Sequence, residues 1–167
     1  NSNDLASTTT DIDIADLSET GQTRKFLYGP AVVKYTGFNA VLAGTGDREH
    51  PISTHYACLE STSITGNLGV QNRYYMLIDK PNTYPSTPAT NTDLLDVTSS
   101  SSTTFDTATG IFTSASGATS TQGWRFDLGN HNVGEPFVPC EQAVNKGLVI
   151  AGIAYFGTNA PATSTTA

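Results

Sequence analysis

Three histidines, His50, His55 and His131, are the only side chains of this sequence that titrate near neutrality without help. The densest polar cluster surrounds the first of them, where Asp47-Arg48-Glu49-His50 follows directly on Ala43-Gly44-Thr45-Gly46. Two carboxylates and an imidazole at this spacing have the makings of a metal or acid–base site. An Asp-Arg-Glu run behind a strand also makes a turn with an internal ion pair, and that structural reading is preferred. Asp11-x-Asp13-x-x-Asp16 places alternate carboxylates as a calcium loop does, but Ile12 and Ile14 stand between them and the glycine of such a loop is missing. Cys58 and Cys140 are the two cysteines. His55 precedes Cys58 by three residues, but nothing at finger-like spacing accompanies Cys140, so a zinc site is not supported. The pair is either one disulfide, closing a loop of about 80 residues and stabilising by roughly 4 kcal/mol in the chain-entropy model, or two separate buried thiols. The sequence holds no nucleophile elbow, zincin helix or phosphate-binding loop, and Gly44-Thr45-Gly46 lacks the third glycine of a dinucleotide site. Residue chemistry alone predicts neither an enzyme nor a cofactor.

The elements that must position these groups are strands. Of 167 residues, 26 are Thr and 15 are Ser, while the hydrophobic share is 37% and the charged share 14%. Eight basic against 15 acidic side chains leave a net charge of -7, which argues against nucleic acid or an anionic membrane surface as partner. The longest apolar stretch, Gly147 to Gly157, is far short of the roughly 20 residues of a spanning helix. The chain starts at Asn1, which is read as a processed or excised piece of an exported protein.

Residues 1–22 are a polar lead-in. From Thr23 onward, short apolar runs broken by Gly and Pro read as consecutive strands. Val32-Val33 and Val41-Leu42 have hairpin spacing around Thr36-Gly37, and Leu148–Ile150 and Ile153–Phe156 have it around Ala151-Gly152. His50 to Val70 reads as a loop excursion and Asn72 to Lys80 as a strand. Pro81 to Gln122 is a Thr/Ser-rich insert with weak strands at Leu94–Val97 and Gly110–Thr113. Order resumes at Gly123–Leu128, Glu135–Pro139 and Gly147–Asn159, and residues 162–167 read as linker. No run keeps a helical period for long, and Thr, Val, Ile and Tyr dominate, so the class is all-β. The lone tryptophan, Trp124, reads as core packing in a strand.

Four segments in this order, GTGDREHP (Gly44 to Pro51), NRYYMLID (Asn72 to Asp79), GWRFDL (Gly123 to Leu128) and AVNKGLVIAGIAYFGTN (Ala143 to Asn159), resemble the C-terminal β-propeller of PilC-type type IV pilus tip proteins. Arg24 to Val33 fills the slot before the first of them. The resemblance covers somewhat over half the chain, and the GTGDREHP–NRYYMLID pair is its most specific part. It implies two to three blades of a quinoprotein-like propeller spanning residues 23–161. The insert 81–122 has no counterpart, and the family's calcium loop is not matched. The motif residues Gly44, Gly46, Asp47, Arg48, Glu49, His50, Asn72, Arg73 and Trp124 then have structural tasks. The two glycines permit a tight turn, Arg48 bridges Asp47 or Glu49 to a neighbouring blade, and Trp124 and Phe156 fill gaps between blades.

The function so implied is a non-catalytic, exported pilus-tip adhesin or pilus assembly factor at the cell surface. Its partners would be other blades of the parent protein or neighbouring chains, minor pilins, and a surface or host receptor. If blades are cut from a ring, Tyr74, Tyr75, Trp124, Tyr155 and Phe156 are expected to lie bare until other polypeptide covers them. Two rivals are a quinoprotein-type dehydrogenase, whose acidic calcium ligands and catalytic Asp the sequence does not display, and a Thr-rich structural subunit of a surface filament.

Overall fold

The computed structural model describes residues 13–20, 22, 24–47, 70–80, 87–99, 102–106, 108–129 and 141–160. Among them the only regular element is the strand, and the sheets do not close into a barrel. Strands are labelled in chain order. The principal sheet has five: β2 (Ala31–Tyr35), β3 (Phe38–Gly44), β4 (Arg73–Asp79), β10 (Gly123–Asp127) and β6 (Leu95–Asp96), in the spatial order β2-β3-β4-β10-β6. The first four are successively antiparallel, and β6 joins β10 in parallel. As the spacing predicts, β2 and β3 form a hairpin about Thr36-Gly37, with Gly37 at a φ of 91° that other residues rarely adopt.

Register gives the sheet two different faces, because side chains alternate along each strand. On the first face Ala31 lies opposite Leu42, Leu42 opposite Met76, Met76 opposite Trp124, and Trp124 opposite Leu95. This row is apolar from edge to edge. Beside it, Tyr74 stacks on Phe156 at 3.9 Å and 8°, and Phe126 meets the same ring edge-on. The second face carries Val41, Tyr75 and Leu77, covered by Leu94 and by Ile14, Ala15 and Leu17 of the N-terminal segment. β4 is therefore apolar on both sides and buried from Arg73 to Ile78, as a strand with cover on both faces must be.

The first face is covered by chain that the sequence reads as insert. β7 (Thr103–Asp106), β8 (Ile111–Ser114) and β9 (Thr119–Ser120) form a three-stranded meander. Its Phe105 and Phe112 stack at 4.3 Å and bring the pair against Phe38. The Thr/Ser-rich stretch thus contributes to the core, through Leu95, Val97, Phe105 and Phe112 among many hydroxyls. β12 (Leu148–Ile150) and β13 (Ile153–Tyr155) make the second predicted hairpin, and their inner residues Val149 and Ala154 complete the cover. Ala151 and Gly152 turn it with φ of 51° and 81°, the two positive values of a two-residue hairpin turn. β1 (Ala15–Asp16) pairs with β5 (Ala89–Thr90), and β11 (Gln142–Ala143) with β14 (Thr158–Asn159).

One expectation is overturned. Tyr74 and Tyr75 are not bare faces awaiting other polypeptide: both are 0% exposed within this chain. Trp124 and Phe156 pack into the first-face core, and of the five aromatics only Tyr155 is exposed. The alternation of β4, which sends successive tyrosines to opposite sides of a doubly covered sheet, accounts for the difference.

Candidate functional site

The two most specific segments of the sequence meet in space. β3 ends at Gly44 beside the start of β4, and Thr45, fully buried, links them. Its hydroxyl accepts the backbone N–H of Arg73 at 2.8 Å and lies 3.1 Å from Asn72 Oδ1. Asn72 donates through Nδ2 to the Glu141 carbonyl at 3.2 Å. The Asp47 N–H donates to Gln142 Oε1 at 2.6 Å, and Lys25 Nζ donates to Asp47 Oδ2 at 2.6 Å. Asp47 is thus engaged by Lys25 at a seam with β11.

The two glycines serve this seam differently from the expectation. Neither Gly44 nor Gly46 has positive φ, so a tight turn does not require them. A Cβ on Gly44 would run into Ala143 Cβ and come within 2.7 Å of the Tyr74 ring, and one on Gly46 would lie 2.8 Å from the Ala143 carbonyl oxygen. They are glycine because β11 passes against them. Arg48, Glu49, His50, His55, Cys58, His131 and Cys140 lie outside the described residues, and so do both cysteine readings and the Arg48 bridge. The acidic repeat is described at Asp13 and Asp16, where Asp16 Oδ1 accepts the Ser18 N–H at 3.0 Å in a local turn. Among the described residues no three His, Cys, Asp or Glu side chains are grouped to hold a metal.

The densest ionic arrangement lies on the second face. Arg73 and Asp127 are cross-strand neighbours, as are Arg125 and Asp96. Arg24 Nη2 donates to Glu19 Oε2 at 2.9 Å, and Arg73 Nη1 to the same oxygen at 2.6 Å. Arg73 Nε donates to Asp127 Oδ1 at 2.6 Å, Arg125 Nη1 to that oxygen at 2.6 Å, and Arg125 Nη2 to Asp96 Oδ2 at 2.7 Å. The result is an alternating chain, Arg24–Glu19–Arg73–Asp127–Arg125–Asp96, that uses three of the protein's four arginines and balances them. Arg24 Nη1 and Arg125 Nε are buried without an acceptor in the protein.

For Glu19, Asp96 and Arg73, burial works against the charged form and the partners outweigh it. It raises the Glu19 carboxyl, yet hydrogen bonds and charge from Arg24 and Arg73 hold that group below its usual range. It does the same to Asp96, which Thr98 and then Arg125 bring down. Burial lowers Arg73, and Asp127 and Glu19 carry it back above the ordinary value. Of these six residues, the motif reading singled out only Arg73. The signal for two others was legible: in Trp124-Arg125-Phe126-Asp127, charge alternates with aromatic, so the charged pair must share the face opposite the rings. Trp124 and Arg73 therefore stand on opposite faces of the sheet.

Beside the ionic chain the second face opens into a cleft of about 630 Å³, walled by Glu19, Arg73, Asp96 and Arg125 and rimmed by Thr90, Asn91 and Thr92. Asn91 is fixed in place, donating to the Leu17 carbonyl at 3.1 Å and accepting the Tyr75 hydroxyl at 3.2 Å. A third feature is apolar. On the outer side of the β12–β13 hairpin, Leu148, Ile150, Ile153 and Tyr155 are 51–57% exposed.

Fold and sites together define an all-β domain with a charge-balanced polar cleft on one sheet face and an exposed apolar hairpin. No family model matches this sequence, and neither a curated protein nor a solved structure matches it.

Proposed function

We propose that this chain is a non-catalytic contact module of an exported surface assembly. In its specific form it is a tip adhesin or assembly factor of type IV pili, part of a larger β-propeller completed by other blades or neighbouring chains. It meets minor pilins on one side and a surface or host receptor on the other. The observation that carries contact as the mode of action is the outer face of β12–β13. Leu148 pairs with Tyr155 and Ile150 with Ile153, four large apolar side chains more than half exposed with no charge among them. Full burial of one such side chain is worth roughly 1.5–3 kcal/mol, so covering the four exposed halves offers about 3–6 kcal/mol to a partner. The specific form rests on the sequence resemblance.

The test is retention on purified type IV pili of the native chain and of the double variant Ile150→Lys/Ile153→Lys. Both substitutions fall on outward positions and leave the core untouched. Retention of the native chain and its loss in the variant, at equal thermal stability, is the expected result. A native chain that does not associate with pili removes the pilus reading.

A second reading, the structural subunit of a surface filament, is favoured by a separate observation. Among the described residues β12 and β13 pair only with each other, leaving both outer strand edges open to addition by another chain. Light scattering separates the two readings, because a filament subunit grows in mass with concentration in the absence of pili.

A further inference from the structure

We propose that the cleft on the second face is a binding site for a neutral saccharide of one or two units. The inference does not depend on the hairpin or on the pilus reading. At about 630 Å³ the cleft has the size of small-molecule sites, which run from about 300 to 1,000 Å³. Its walls are charged yet balanced: Arg73 and Arg125 face Glu19 and Asp96. Each of the four is already held in an ion pair at 2.6–2.7 Å within the protein. A charged ligand meets no net field there and would have to pull one of these pairs apart, losing charge-assisted bonds for those it makes. An uncharged ligand leaves them intact.

What the cleft offers such a ligand is a mixed set of donors and acceptors in fixed places. Glu19 takes both its arginine bonds at Oε2, and Asp96 takes one bond at each oxygen. Each carboxylate oxygen has two lone pairs, so both groups still accept, while a guanidinium carries five N–H groups. Glu19 and Asp96 therefore accept while Arg73 and Arg125 donate, and the Thr90 and Thr92 hydroxyls, whose own protons go to Asp93 and to Thr90, accept as well. Alternating acceptors and donors a few ångströms apart match a ring of adjacent hydroxyls, each of which donates once and accepts as well.

The set is also preorganised. Arg73 has 9% of its side chain exposed and is clamped from two sides. Thr90 Oγ1 donates to Asp93 Oδ2 at 2.7 Å and lies 2.9 Å from Thr92 Oγ1, which fixes the rim. Little side-chain freedom remains to be lost when a ligand arrives.

The experiment is saturation-transfer NMR on the whole chain. The neutral probes are lactose, maltose, cellobiose and diacetylchitobiose; sialyllactose and a sulfated heparin disaccharide are the anionic comparators. Two blocking variants, Thr92→Trp on the rim and Ser18→Trp on the N-terminal wall, each fill the opening from an exposed position. Thr109→Trp, on the exposed turn between β7 and β8, is the control. The proposal expects transfer to at least one neutral sugar, lost in both blocking variants and retained in the control, with thermal unfolding unchanged in all three. It is overturned by an absence of transfer to every neutral sugar, by preference for the anionic sugars, or by transfer that survives either folded blocking variant. The hairpin is untouched throughout, so this reading and the assembly reading fall separately.

Discussion

Replacing Arg73 by Met tests the ionic chain at its centre. Arg73 joins the N-terminal segment, through Glu19, to β10, through Asp127. Met keeps much of the aliphatic stem and deletes only the guanidinium. The bond to Asp127 is the more protected, with side-chain exposures of 9% and 18%, and a charge-assisted bond of this kind contributes about 1.5–3 kcal/mol. Glu19 is 42% exposed, so solvent screening holds its share below about 1 kcal/mol. Neither carboxylate is stranded, because Glu19 keeps Arg24 and Asp127 keeps Arg125. The loss therefore stays near 2–3 kcal/mol, at or below the roughly 3–5 kcal/mol of an abandoned buried charge. In a domain of this size that corresponds to a melting temperature lower by about 4–12 °C. Urea unfolding of Arg73→Met, alone and combined with Glu19→Gln, reads it directly, with a coupling between the two positions of about 1 kcal/mol or less. Most of the deficit should persist in about 1 M salt, where exposed pairs are screened. An Arg73→Met protein with an unchanged or higher urea midpoint would refute the reasoning, since it would mean that the pairs merely offset the cost of burying them.

Two further outcomes follow from the same description. Gly123 opens β10 with φ of 129°, and a Cβ there would run into the Met76 carbonyl oxygen, so Gly123→Ala should cost more than 3 kcal/mol and leave little folded protein at 37 °C by circular dichroism. Unaltered melting of that variant would show that β10 is not seated as described. Acid should also weaken the fold: Glu19 and Asp96, with Asp16, Asp93 and Asp106 in their turns, all sit below their ordinary values. Groups lowered on folding give their full contribution above the unfolded value and lose it as pH falls through the folded one. Melting temperature should therefore hold down to about pH 5 and fall once pH passes below 4.5 and 3.8, the ordinary values for Glu and Asp. A flat profile down to about pH 3 would contradict this.

Much of the strand layout was legible because local signals agree with the fold. Tyr, Met, Leu and Ile fill β4 without interruption, and Gly37 and Gly152 supply positive φ to their hairpin turns, although Ala151 takes a positive φ as well, which its Cβ disfavours. Other parts were hidden for physical reasons. β1, β5, β9, β11 and β14 have two residues each, too few for any periodicity to register. The insert reads as only two weak strands because Leu94, Leu95, Val97, Phe105 and Phe112 carry its share of the core in short pieces among threonines and serines. Gly44 and Gly46 read as turn residues because sequence cannot distinguish freedom of φ from the lack of a side chain, and only the passage of Ala143 decides between them. The cleft was beyond reach altogether. Its walls come from the N-terminal segment, β4, β6, β10 and the turn after β5, and nothing in any one of these announces the others.

The order of the principal sheet bears on how the protein comes into being. Only β2 and β3 are joined by a short turn; β3 and β4, and then β4 and β10, meet across long stretches of intervening chain. Sheets assembled from such distant partners form slowly, on the scale of milliseconds to seconds, because loop closure precedes the contacts that reward it. During synthesis β4 emerges well before β10, with Tyr74, Met76 and Ile78 on one side and an open row of backbone donors and acceptors along its edge. That edge is the part of the nascent chain most apt to pair with a neighbouring copy, and it is sealed only when Gly123–Asp127, the last strand of the sheet to be made, slides in beside it.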